Sequence, residues 1–303
     1  MQVSSTVFRG SPEGHILSSE ITRTLAGHEV FIETTHSGVC PTDEHLRKSS
    51  QVLGHEGVGV IRAYGKDVSS LKVGDRVGWD QYCRNQKQYA SHDLDNGTFS
   101  SGAVWDAKYV YPIPAGYDSV HTAPLMCAGA TVWTVLSQYG IRFHHRVAIM
   151  GIGGLGHLAI KIAAAMGRTA VVLSSSVSKK QEAMDYGASE FQVFRSGQSP
   201  PENFEPIQHL LLCGNAAVEY SSLIPLTDTH GTIYPLTVAF EPASVPMLDL
   251  VSKGIRTLLE FAVRKKIIPT TMSNLPDTEG IQKAVQDSRD GGVKYRAVLV
   301  RAK

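Results

Sequence analysis

The sequence predicts an α/β protein in two parts, a β-rich N-terminal domain followed by a doubly wound parallel sheet. Three observations predict it. Short β-branched and aromatic stretches punctuated by Gly, Pro, Asp and Asn fill residues 1 to 113. From residue 146 onward, apolar strands alternate with helical runs, the pattern of right-handed βαβ crossovers. At 303 residues the chain exceeds the usual size of a single core.

In the first part, strands are expected at Val30-Phe31-Ile32, Gly57 to Ile61, Arg76 to Trp79 and Val104 to Val110. Lys72 to Val77 reads as a turn feeding a strand. After Pro112 and Pro114, Ala123 to Gln138 is small and apolar, suited to a buried helix. Arg146 to Met150 is a short apolar strand, Gly151 to Gly156 a glycine loop, and His157 to Met166 a helix. Ala170 to Leu173, His209 to Cys213 and Gly231 to Tyr234 read as strands, with a helix at Ser178 to Met184. The chain ends in a helix, Thr278 to Asp287, a Gly291-Gly292 turn, and a strand, Val293 to Val300.

Composition narrows the function. A formal charge of +1 argues against nucleic acid or an anionic membrane as the main partner. No apolar run approaches a membrane span, and Met1 to Glu13 lacks the basic-then-apolar order of a secretory signal. Four scattered cysteines read as reduced thiols, so the expected home is the cytoplasm.

Gly151-x-Gly153-x-x-Gly156 follows an apolar strand and opens a helix, the context a dinucleotide loop requires. The first glycine turns the chain, the second lets backbone approach a pyrophosphate, and the third lets helix and strand pack closely. Gly154 and Leu155 complete the loop. NAD readers carry Asp or Glu at the end of the second strand, yet no acid lies between Gly151 and Gln181. Ser174, Ser175, Ser176, Ser178, Lys179 and Lys180 stand there instead. Hydroxyls and ammonium groups suit a 2′-phosphate, so NADP is the expected dinucleotide. The alternative is that the serines cap the next helix and the lysines face solvent.

Cys40, His55, Glu56 and Cys127 offer two thiols, an imidazole and a carboxylate, the ligand types of a catalytic zinc rather than a closed structural one. Each has a plainer use, as a small buried hydrophobe or a polar turn residue. Thr42 and His45, two and five residues past Cys40, are placed to bond a substrate oxygen and to carry a proton to solvent. Cys83 and Cys213 are read as having no site role. Trp79, Trp105 and Trp133 are read as core residues before pocket walls.

The chain resembles the zinc-type medium-chain alcohol dehydrogenases, in particular the fungal-like members of the cinnamyl-alcohol-dehydrogenase branch. The residues that carry the likeness are Gly38-Val39-Cys40-Pro41-Thr42-Asp43, Gly54-His55-Glu56-Gly57-Val58-Gly59, Val73 to Gly78, Ala123 to Thr131, the loop Gly151 to Gly156, and Ser174 to Lys180. The resemblance implies a GroES-like catalytic domain at 1–127, a Rossmann NADP-binding domain at 128–265 and a return to the first domain at 266–303. It implies one catalytic zinc on Cys40, His55 and Cys127, with Glu56 as an exchangeable fourth ligand. Thr42 and His45 would relay the proton, Thr131 would face the nicotinamide, and Ser174, Ser175 and Lys179 would face the 2′-phosphate.

Members of the family usually have His where Pro41 stands, and a lobe of four cysteines that binds a second zinc. Here Trp79 to Cys83 runs straight on with a single cysteine, so no structural zinc is expected. Val251 to Glu260, where the family pairs a strand across a homodimer, is short. The leading expectation is an oxidoreductase moving hydride between NADP(H) and a small-molecule alcohol or aldehyde. A zinc-free reductase of activated double bonds and a catalytically inactive NADP-binding paralogue are the alternatives.

Overall fold

Five antiparallel strands and five parallel strands make the two main sheets of the protein, seen here in a computed structural model. It describes residues 1–80, 82–84, 87–88, 92–214, 216–237, 244–245, 271–274, 279, 282–283, 286–287, 290 and 296–299. The chain divides into two compact units, Met1–Pro246 and Met247–Lys303.

The chain begins with β1 (Gln2–Arg9) and β2 (Leu17–Thr24), an antiparallel pair. The sequence pattern assigns neither strand. Their Ser, Thr, Glu and Arg residues alternate with few large apolar ones, because little of this ribbon is buried. Bridges from Val7 to Ser100 and from Arg9 to Val52 tie the ribbon to later segments of the chain.

Next come β3 (Glu29–Ser37), β4 (Gly57–Tyr64), β5 (Arg76–Trp79), the short pair β6 (Tyr82–Arg84) and β7 (Lys87–Gln88), then β8 (Gly102–Asp106) and β9 (Val110–Pro112). The main antiparallel sheet runs β8-β3-β4-β5-β9. Its inward residues, Val30, Ile32, Ile61, Val77, Trp79, Ala103 and Trp105, form one core. Trp79 and Trp105 lie 6.4 Å apart there as a tilted ring pair, as expected of them. Trp133 departs from expectation: it is 53% exposed.

The parallel sheet is built from β10 (Arg146–Met150), β11 (Thr169–Ser174), β12 (Glu190–Val193), β13 (Ile207–Leu212) and β14 (Thr227–Pro235). Its order is β12-β11-β10-β13-β14, so the direction of strand addition reverses between β10 and β13. That reversal is where doubly wound sheets bind their ligands. Alternate residues face opposite ways. Val147, Ile149, Ala170, Val172 and Leu211 join one core, while Ala148, Val171, Leu173, Leu210 and Leu212 join another. A sheet buried on both faces explains why β10, β11 and β13 read as near-continuous apolar runs.

One expected helix is shorter and less buried than its composition predicts. Ala123 to Gln138 is not a single helix. Ala123–Met126 forms a 3₁₀ turn, Cys127 breaks helical geometry at φ −123° and ψ −75°, and the α-helix covers Ala128–Gln138. Pro124 near the start of that turn has no N–H to donate. The helix buries Gly129, Val132, Val135 and Leu136 and exposes Trp133 and Thr134.

In the second unit, β15 (Thr271–Asn274) and β16 (Arg296–Leu299) pair in parallel. Residues 279, 282–283 and 286–287 are helical, within the helix expected at Thr278 to Asp287. Val251 to Glu260, expected to be short, and the expected Gly291-Gly292 turn lie outside the described residues. Among the described residues no helix is long and apolar enough to cross a membrane.

Candidate active site

Cys40 caps the short helix Pro41–Leu46, His55 and Glu56 lie at the entry to β4, and Cys127 sits at the break just described. Folding brings one ligand atom from each of these four residues within 4.8 Å of all the others. Zn–S bonds of about 2.3 Å set tetrahedral edges of roughly 3.8 Å, so the four atoms are already near a zinc shell. Thiolates and imidazole suit that ion. His55 and Glu56 are buried and the two cysteines half-buried, which leaves the cluster open on the thiol side.

Asp43 gains its role only in the folded chain. It is buried, and its carboxylate accepts three N–H groups: Cys40 N at 2.9 Å, Gly54 N at 3.1 Å and His55 Nδ1 at 3.1 Å. Accepting the Nδ1–H bond leaves the lone pair of Nε2 free to bind a metal, the usual second-layer support of a metal-bound histidine. The sequence pattern offers one clue, an acid in the first turn of a helix. That clue also fits simple interaction with the helix dipole.

Glycines make room for the cluster. A Cβ on Gly38 would lie 1.8 Å from Glu56 Oε2, and one on Gly78 would lie 2.6 Å from Met126 Sδ. Gly54 adopts φ +84°, and a side chain there would strike Thr98 and Phe99. Thr98 Oγ1 also accepts the Glu56 N–H at 3.3 Å.

Without metal the cluster holds a thiolate beside a thiol. A hydrogen bond from Cys127, with those of His55 and Thr42, pulls Cys40 down to about 4 against the cost of burial. The bond to that thiolate, together with burial, holds the Cys127 proton far above the ordinary thiol range. Burial acts to lower His55, but its hydrogen bonds to Asp43 and Cys40 prevail and raise it to about 10. Burial and the Cys40 thiolate raise Glu56 to about 7. A bound dication reverses this order by displacing the protons.

Thr42 Oγ1 lies 3.5 Å from Cys40 Sγ, at the edge of the cluster. His45 is exposed, in the last turn of the same helix. Thr131 lies one helical turn past Cys127, and its N–H donates to the Cys127 carbonyl at 2.9 Å.

The glycine loop follows β10 and opens the helix Gly154–Ala165. Gly151 has φ +97°, and a Cβ there would lie 2.8 Å from Gly214 N, across the strand reversal. A Cβ on Gly156 would lie 1.8 Å from the Gly151 carbonyl oxygen. Among the described residues, nothing beyond the adjoining backbone lies within 4 Å of a Cβ built on Gly153 or Gly154. Gly151 and Gly156 therefore let backbone close on backbone, while Gly153 and Gly154 leave open the space at the helix N-terminus where a phosphate fits. At the end of β11, Ser174 Oγ accepts the Ser176 N–H at 3.3 Å, and Ser175 is exposed. Lys179 Nζ pairs with Glu182 at 2.8 Å.

Comparison with known proteins places this architecture. Residues 26–115 match the alcohol dehydrogenase GroES-like domain family. A probable cinnamyl alcohol dehydrogenase 1 of Aralia cordata is 34% identical over 323 residues, covering 91% of this chain and 89% of the relative. The NADP-dependent alcohol dehydrogenase C 1 of Mycolicibacterium smegmatis is 29% identical, covering 94% of each chain. That alignment runs over 333 positions, more than the 303 residues here, so the relative carries stretches without counterpart in this chain. A cinnamyl alcohol dehydrogenase structure from Sorghum bicolor superposes with TM-score 0.74 at 24% identity, covering 98% of this chain and 97% of that one. The structure of CAD from Helicobacter pylori complexed with NADP(H) superposes with TM-score 0.72 at 23% identity, covering 99% and 98%. The two superpositions bear on the fold, and the relatives that align along nearly the whole chain bear on descent: the chain belongs to the zinc-type medium-chain alcohol dehydrogenases, in their cinnamyl-alcohol-dehydrogenase-like branch.

Proposed function

We propose that this protein is an NADP-linked alcohol dehydrogenase or aldehyde reductase that holds one zinc ion on Cys40, His55 and Cys127, with Glu56 as exchangeable fourth ligand. The observation that carries the reading is the convergence of those four ligand atoms within 4.8 Å from three separate segments of the chain. The names of the relatives support the cofactor and the substrate class: NADP-dependent and cinnamyl alcohol dehydrogenases, and an 8-hydroxygeraniol dehydrogenase from Catharanthus roseus.

When bound, zinc polarises an alcohol or carbonyl oxygen and NADP gives or takes the hydride. The chain's own residues do the rest. Asp43 holds the His55 ring, and Gly38 gives the Glu56 carboxylate room to reach the cluster. Thr42 is near enough to the Cys40 sulfur to hold the substrate hydroxyl proton, and exposed His45 hands it to water. Gly151, Gly153, Gly154, Leu155 and Gly156 cradle the pyrophosphate, and Thr131 supports the nicotinamide. Ser174, Ser175 and Lys179 face the 2′-phosphate. The same reading divides the chain at 1–127, 128–265 and 266–303, with the last segment returning to the first domain. It also allows a homodimer, which sedimentation velocity measures.

Metal analysis tests the zinc assignment directly, with about one zinc per chain expected. NADPH oxidation against a panel of aldehydes tests the activity, and Cys127→Ser should abolish it. Activity that survives in Cys127→Ser, or protein that purifies active without zinc, overturns the metal assignment.

A further inference from the structure

We infer that Arg195, which the sequence pattern does not single out, reads the 2′-phosphate and sets the preference for NADP(H) over NAD(H). The inference rests on the NADP reading above and adds the residue that carries it.

Three strand ends lie side by side at the binding edge of the parallel sheet. β10 ends in the glycine loop, β11 ends at Ser174, and β12 continues into Phe194 and Arg195. Ser174 pairs with Val193, and the Phe194 N–H donates to the Ser174 carbonyl at 2.8 Å, which extends the ladder one step. Phe194 is fully buried, so the root of Arg195 is fixed. The Arg195 backbone is held again by a turn, with the Gln198 N–H donating to its carbonyl at 3.1 Å.

The side chain is exposed, and its Nε donates to the Ser175 carbonyl at 3.2 Å. That bond lays the guanidinium along the Ser175 backbone, where the ribose of a dinucleotide on the neighbouring loop arrives. Among the described residues no carboxylate pairs with Arg195, so its two terminal nitrogens keep their donors. Most of the other candidates are engaged, exposed Lys180 excepted. Lys179 is paired with Glu182, and Ser176 and Ser178 bond each other in the cap of the following turn. What this bond brings together is the Ser175 hydroxyl and a planar fork of donors. Arg presents that fork to phosphate in two-point contact, whereas Lys offers a single charge.

Calorimetric titration of the full-length protein with 2′,5′-ADP and with 5′-AMP tests this. The two probes share adenosine and the 5′-phosphate and differ in the 2′-phosphate alone. Wild-type protein should bind 2′,5′-ADP more tightly than 5′-AMP. Arg195→Gln should lose about tenfold to a hundredfold in 2′,5′-ADP affinity with 5′-AMP unchanged. Arg195→Lys should recover part of the loss. Undiminished 2′,5′-ADP binding by Arg195→Gln in a wild-type background that discriminates overturns the role of Arg195 and leaves the NADP reading intact. An equal loss for both probes overturns it too, by showing a structural role. Wild-type protein that binds both probes equally overturns the NADP reading itself, and this inference with it.

Discussion

Replacing Asp43 by Asn keeps the shape of the side chain and removes its charge. The wild-type carboxylate accepts from Cys40 N through Oδ2, and from Gly54 N and His55 Nδ1 through Oδ1. An amide offers one acceptor oxygen. In one orientation its NH₂ meets two N–H donors, and in the other it meets one, so at least one buried donor loses its partner. That loss, with the loss of a charge-assisted bond, costs roughly 2–5 kcal/mol. In either orientation His55 loses the carboxylate charge that holds its proton on Nδ1, and zinc affinity should fall about tenfold to a hundredfold. Competition with a chromophoric chelator measures the affinity, and urea unfolding of the metal-free protein measures the stability. D43N protein with wild-type zinc affinity and wild-type stability would refute the idea that this carboxylate holds the site together.

The same geometry sets other outcomes. Gly156→Ala drives a methyl to 1.8 Å from the Gly151 carbonyl, backbone that cannot swing aside, so it should destabilise by about 1–3 kcal/mol or more and abolish nucleotide binding. Among the described residues Gly153→Ala meets nothing beyond the adjoining backbone within 4 Å, so urea unfolding should stay near wild type while NADP affinity drops. Zinc uptake should release protons. At pH 7 His55, at about 10, and Cys127, raised well above neutrality, are protonated, Glu56, at about 7, is half so, and Cys40, at about 4, is not. Binding then displaces two protons, from His55 and Cys127, and about half of one more where Glu56 also binds, and affinity rises with pH through about 10 and beyond while Cys127 stays protonated; calorimetry in buffers of different ionisation enthalpy counts them, and zero release contradicts the assignment. Thr42→Val should lower kcat on the order of a hundredfold or more at unchanged zinc content, read by steady-state kinetics beside metal analysis.

How much of the molecule is legible in its sequence depends on where each residue finds its partners. Cys40, His55, Glu56 and Cys127 are legible as a group because two thiols, an imidazole and a carboxylate are together the ligand types of a metal site. The loop is legible because Gly151, Gly153 and Gly156 stand between an apolar strand and a helix. Asp43 is not, since two of its partners, Gly54 and His55, are eleven and twelve residues away and meet it only after folding. Gly38 belongs to a motif, but its purpose is set by the Glu56 carboxylate. Arg195 looks like a loop cation until the β11–β12 ladder places it against Ser175. β1 and β2 escape detection because their residues are mostly exposed or partly buried, which leaves little apolar alternation to read. The run Ala123 to Gln138 misleads in the opposite way. It has helical composition throughout, and the break at Cys127 comes from where that residue must point.

That break is what joins the two halves of the chemistry. Cys127 turns its sulfur toward Cys40, His55 and Glu56 while its carbonyl starts the helix Ala128–Gln138 by accepting from Thr131. On one side Met126 is seated against Gly78 of β5, in the antiparallel sheet. On the other, Val132, Val135 and Leu136 belong to the same core as Val147 and Ile149 of β10 and Ala159 and Ile160 of the helix after the glycine loop. Cys127 therefore adjoins, in sequence, a helix packed against the core beneath the glycine loop. Close-packed interiors transmit strain rather than absorb it. A change in that core that moves the helix must then move Cys127, so core variants far from either ligand should alter zinc affinity and nucleotide affinity together.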